Sequence, residues 1–138
     1  MPRIANVSLL GVFLAGVAIF FVGFLWFSLL FDQLWMDSNG YTPAQIEENF
    51  SLPIFAVGGI AIPLIVAFAI GWLMKLADIK GLGPSIFFGA KLGILLAAPL
   101  FAYDFVYSPN HSVTALLLDV SHSLAGFMVG AAVLSFFD

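Results

Sequence analysis

Hydrophobic residues run along this chain in four long blocks broken by short polar stretches, and most of each block is apolar on every side of a helix rather than along one stripe. The first block extends over about 7–36 and is interrupted only by Ser8, Ser28, Asp32 and Gln33. At ~1.5 Å per helical residue it exceeds a hydrocarbon core ~30 Å thick, so its far end is expected to project. Asp32 and Gln33 would then reach water, with Trp35 at headgroup depth. Further blocks cover about 53–74, 84–106 and 113–137, each long enough to cross a bilayer as a helix. The pattern predicts an all-α polytopic membrane protein: a single transmembrane domain, 1–138, with four transmembrane helices in one bundle.

Between the first two blocks, residues 37–51 are polar. Asn39-Gly40 reads as a turn, and Thr42 as an N-cap with Pro43 at the first helical position, predicting a short surface helix. Ile46 and Phe50, four apart, would dip into the interface while Glu47 and Glu48 face water. Pro63 removes a backbone donor inside the second block and is expected to kink it, a defect that neighbouring helices can make good in a membrane. Small residues recur at helical spacing in all four blocks: Gly11, Ala15 and Ala18; Gly59, Pro63, Ala67 and Gly71; Gly89, Gly93 and Ala97; Gly126 and Gly130. Such ridges let helix backbones approach closely where lipid offers no hydrophobic drive to associate. Lys91, about 200° around the helix from Gly89 and Gly93, faces away from that ridge, where it is expected to snorkel or else to serve as an inward partner of an acid or a subunit contact; with Trp35, Trp72 and Lys75 it makes the expected set of interface anchors.

Composition removes the soluble alternative. Of 138 residues, 62% are hydrophobic and 9% charged, against about 45–50% and about 25% in ordinary soluble domains, too little polar surface to cover a globule in water. Four basic residues in no cluster exclude nucleic-acid binding and polybasic lipid recruitment. There is no cysteine, hence no disulfide and no thiolate metal site. The first apolar run is far longer than the ~7–15-residue core of a signal peptide and is read as uncleaved. Four spans place both termini on one side, where Arg3, Lys75 and Lys80 lie, while Asp32, Asp37, Glu47, Glu48 and Asp104 flank the other. The positive-inside rule then puts both termini in the cytoplasm.

Gly23, Trp26-Phe27-Ser28 and Trp35 in the first block, Thr42-Pro43 in the loop, and Asp119-x-x-His122 followed by Gly126 in the last resemble the pattern of a bacterial family catalogued as a domain of unknown function, number seventeen-sixty-one. The likeness covers nearly the whole chain, with Phe27 standing where the family usually has tyrosine. The resemblance implies a four-helix integral membrane fold and transfers no activity.

The candidate chemistry lies in Asp119 to Gly130. A charge at mid-membrane costs roughly 2.5–3.5 kcal/mol, so Asp119 and His122 must face protein or water. An acid three residues before a histidine can accept its ring N–H or pair with the imidazolium. Three readings stay open: a structural clasp, a proton or ion pathway, and a ligand or cofactor site. Asp104 and Tyr103, with His111 in the following loop, fall at the same end. Together with Asp119 and His122 they match no recognised ligand spacing, so no metal or cofactor is assigned, and haem ligation by a lone His122 has less support still. No Ser-His-Asp spacing, phosphate loop or zinc-protease motif occurs. Few polar groups line any route, the soluble parts are short and every helix carries a small-residue ridge. These features favour a non-enzymatic oligomeric scaffold or accessory subunit, with the bilayer and a second copy or another membrane protein as partners. The rival is a small proton- or ion-coupled carrier or channel built on Asp119, His122 and Asp104; a membrane enzyme or cofactor-binding protein is the third reading.

Overall fold

The computed structural model of the chain describes residues 1–137. Four helices are long and apolar enough to cross a membrane: Leu9–Leu30, Leu52–Leu76, Leu82–Tyr107 and Val113–Phe137. Ile54, Val57 and Leu95 are each at least 70% exposed on their outer surfaces. In water these side chains would form an unprotected apolar belt, whereas lipid is the medium that covers it without cost. The protein is a membrane protein, all-α in its spans.

The first span is shorter than the apolar run that contains it. It ends at Leu30, not Met36, because Phe31 leaves helical geometry (φ −130°, ψ 22°) and a separate helix, Asp32–Asn39, begins there. Its last turn, Leu25–Leu30, is π-helical, with the Phe31 N–H reaching back to the Trp26 carbonyl at 2.9 Å. Gly40 in the left-handed region closes the second helix (φ 73°). Thr42 then caps the helix Pro43–Asn49 through a reciprocal capping box with Gln45. The third span also contains a π-helical turn, Gly93–Ala97, just before Pro99. Proline lacks the N–H that the preceding turn needs and crowds its carbonyl, and the wider turn relieves that conflict. By contrast, Leu52–Leu76 stays helical through Pro63.

At the other end of the bundle the chain begins with a strand pair, Arg3–Ile4 and Val7–Ser8, closed by Ala5 and Asn6 at positive φ (49° and 64°) as a two-residue hairpin. Ser8 caps the first span by accepting from the Gly11 N–H. Val7 is almost wholly buried, and Arg3 donates to the Phe137 carbonyl at 3.3 Å, so both chain ends meet. Nearby, the hydrogen bond from Lys80 and its charge, 2.6 Å away, hold the exposed Asp78 carboxyl below the usual carboxylate range.

The core sits in this terminal half. Val7, Val12, Ala15, Ile19, Ala67, Ile70, Met74, Ala131 and Leu134 form one buried cluster joining the first, second and fourth spans. The third span joins through glycines: a Cβ on Gly89 would stand 2.5 Å from the Phe127 carbonyl oxygen, and one on Gly93 3.0 Å from the Leu124 Cα. The first span lies between the second and fourth, the fourth between the first and third, while the second and third scarcely touch. Basic side chains Arg3, Lys75 and Lys80 mark the terminal end; Asp32, Asp37, Glu47, Glu48, Asp104 and Asp119 lie towards the opposite, acidic end.

Gly89→Ala forces a methyl into a helix backbone, and overpacking of this kind costs about 1–3 kcal/mol. Gly83→Ala meets nothing within 4 Å and should leave stability unchanged or raise it by up to ~1 kcal/mol. Thermal unfolding in one detergent should separate the two variants, and equal midpoints would refute the close approach.

Candidate functional site

Towards the acidic half the spans part around a cavity of about 720 Å³. This falls within the ~300–1,000 Å³ typical of small-molecule sites. The first and fourth spans form its floor. Phe55 and Ile62 of the second span and Leu96 and Leu100 of the third form its lips, all more than half exposed, so it opens sideways between the two spans that scarcely touch.

His122 lies on the floor. Gly23 of the first span makes room for it: a Cβ there would be 3.1 Å from His122 Nε2. The Phe27 ring packs against the imidazole at 4.8 Å between centroids. One turn away Trp26 Nε1 donates to Ser121 Oγ at 3.1 Å, and Ser121 Oγ donates to the Leu118 carbonyl at 3.0 Å, tying the same two helices by polar contacts. The cavity's own polar side chains differ. Among the described residues His122, Ser123 and Ser28 make no hydrogen bond, although Ser123 is only 9% exposed. No polar side-chain atom among them is sealed off without a partner, so the free ring nitrogens and hydroxyls face reachable space. Pro63 adds to this set, because it deprives the Gly59 carbonyl of its i+4 donor and both residues line the cavity.

Asp119 does not join His122. The two form no hydrogen bond or ion pair, and Asp119 instead lines a polar pocket of about 30 Å³ with Asp104, His111, Asn39, Ser108 and Asn110. Asn110 Nδ2 donates to the Ser38 carbonyl at 2.9 Å, and His111 Nδ1 donates to the Phe105 carbonyl at 2.7 Å, which fixes the loop over this pocket. Three-residue spacing leaves Asp119 and His122 about 60° apart around the helix, enough to aim them at different neighbours. Phe101 lines both the cavity and the polar pocket and is their shared wall. Among the described residues no three acidic, histidine or cysteine side chains converge as a metal site.

The other candidate residues serve the surroundings. Gly126 and Gly130 lie buried against Ile19, and Gly59 and Pro63 belong to the cavity wall. Trp35 is half-buried between the rings of Phe27 and Tyr41, whereas Trp72 is exposed. Lys75 lines a small gap beside Val7 at the terminal end, and Lys91 holds its ammonium 4.6 Å over the Phe87 ring on the outer surface. Tyr103 stacks on Tyr107, also outside. Ser123 and Phe101 line the cavity without having stood out in the sequence pattern, and Ser28 stood out only as an interruption of the first apolar run and as part of the Trp26-Phe27-Ser28 motif. Ser123, a polar residue within an apolar run, carries the same signal as His122; Phe101 is one phenylalanine among sixteen and carries none.

Residues 10–135 match a family model described as a protein of unknown function, DUF1761. No curated protein and no solved structure matches the chain.

Double-mutant cycles distinguish the two polar pairs. Trp26→Phe with Ser121→Ala should show a coupling of about 0.6–1.7 kcal/mol, the range for hydrogen bonds between membrane helices. Asp119→Asn with His122→Asn should couple by less than ~0.5 kcal/mol, because they share no bond. Denaturation in mixed micelles measures both, and a larger acid–histidine coupling would restore the clasp.

Proposed function

The chain belongs to the DUF1761 family, and we propose that it is a small-molecule binding protein of the membrane that takes a lipid-soluble ligand sideways into the cavity beside His122. The observation that carries this reading is the contrast in polar satisfaction. Trp26 and Ser121 have partners within the bundle, while His122, Ser123 and Ser28 present unused donors and acceptors to an otherwise apolar space. Within a bilayer no bulk water is at hand to serve these groups, so a ligand that brings a hydrogen-bonding group is favoured there. Its apolar remainder would lie among Phe20, Phe24, Phe55 and Leu96, reached from lipid through the gap between the second and third spans.

The small-residue ridges that favour an oligomeric scaffold are engaged within the chain at Gly89, Gly93 and Gly130, so they give that reading less support. The ion-pathway reading has polar groups towards the acidic end only. Beyond His122 the route meets Ile19, Ile70, Met74 and Leu134, which lie packed in one core. By the positive-inside rule the basic end, with both termini, faces the cytoplasm, and the acidic end faces away from it.

A neutral hexadecanol carrying a photoactivatable diazirine, equilibrated with protein in phosphatidylcholine nanodiscs, should label cavity residues such as Phe24, Leu96 and Phe101. Gly59→Leu fills the space from a position where a Cβ meets nothing closer than 3.8 Å, and it should reduce that labelling by about tenfold. Labelling spread evenly over lipid-facing residues such as Ile54 and Leu95, or unaltered by Gly59→Leu, would overturn the proposal. So would cross-linking of a second copy across the same lips.

A further inference from the structure

We propose that the ligand is a lipophilic organic monocation, an amine or onium ion bearing apolar bulk; this rests on the binding reading above. Charge is divided unevenly along the bundle. Asp32, Asp37, Glu47, Glu48, Asp104 and Asp119 lie towards one end with no lysine or arginine among them. Arg3, Lys75 and Lys80 lie at the other end, and Lys91 is turned to the outer surface over Phe87. Neither the cavity nor the polar pocket is lined by a lysine or arginine.

Asp104 and Asp119 therefore stand near each other without a lysine or arginine partner: among the described residues neither carboxylate makes an ion pair or a hydrogen bond, and His111, which shares their pocket, bonds the Phe105 carbonyl instead. Phe101 lines both their pocket and the cavity. A positive charge brought against that wall is attracted by both carboxylates, and an anion is repelled by both. The lining suits a cation further. Phe20, Phe24, Phe27, Phe55, Phe101 and Phe127 give aromatic rings on all sides, and such rings attract a desolvated cation more strongly than they do a neutral molecule. Ser123, nine-tenths buried and unpartnered, and His122 both line the cavity, where a hydroxyl oxygen or an imidazole nitrogen can accept from an ammonium N–H. The acidic end thus gathers cations from water, the carboxylate pair holds the charge, and the phenylalanine cavity holds the apolar part.

Tetraphenylphosphonium and tetraphenylborate have the same shape and opposite charge, and each can be competed against the neutral diazirine probe in uncharged phosphatidylcholine nanodiscs. Compared at equal membrane-bound concentration, because the interfacial dipole potential favours partition of the borate, the phosphonium should displace the probe at a level at least tenfold lower than the borate, an effect Coulomb attraction to two nearby carboxylates readily supplies. Asp119→Asn should weaken the phosphonium by about tenfold and Asp119→Glu restore it, while neutral-probe labelling, which also reports an intact fold, stays unchanged. Asp104→Asn, at an exposed position, should act in the same direction and serves if Asp119→Asn does not fold. Equal displacement by the two ions, or insensitivity to both acid substitutions while the neutral probe still labels the cavity, would overturn the cation assignment and leave the cavity reading standing. Loss of specific neutral labelling in the unmodified protein would overturn the cavity reading itself.

Discussion

Everything in this bundle depends on the close approach of the third and fourth spans at Gly89 and Gly93. In lipid, helices gain nothing from hiding apolar surface, so contact must come from packing, and packing is best where no side chain holds two backbones apart. The Gly89 backbone lies so near the Phe127 carbonyl that even one methyl has no place. This anchors the third span to the fourth, leaving the second span to lean on the first. The two outer helices never close on each other, and the space between them is the cavity.

The same physics decides where the polar groups go. In a soluble protein an unpaired serine at this depth could recruit water; inside a bilayer its alternatives are a neighbouring helix or a guest molecule. Ser121 takes the first course with Trp26 and its own helix carbonyl. Ser123, two residues later and on another face, does not. The two serines differ only in what stands opposite them.

Much of the fold was legible because bilayer thickness converts an apolar run directly into a span. The second, third and fourth spans lie within a few residues of their hydropathic limits. The first overshot because Leu34, Trp35 and Met36 are as apolar as the helix before them, and no proline or glycine marks the break at Phe31. At the site, the Asp119-x-x-His122 spacing drew attention to a turn of the fourth span whose His122 lines the cavity, but suggested a pair. One helix's own geometry cannot reveal that its two flanks are covered by different neighbours. Gly23 on one side and Phe101 with Asp104 on the other are separated from His122 by about twenty to a hundred residues of sequence, and only the tertiary arrangement brings them together. The N-terminal hairpin also escaped, since a strand pair of two residues each carries no periodicity to read.

Val7 lies against Gly71 and beside Leu134, Gly11 against Phe137, and Arg3 donates to the Phe137 carbonyl. The hairpin thus works as a staple: it joins the first, second and fourth spans at the basic end of the bundle, away from the lateral opening.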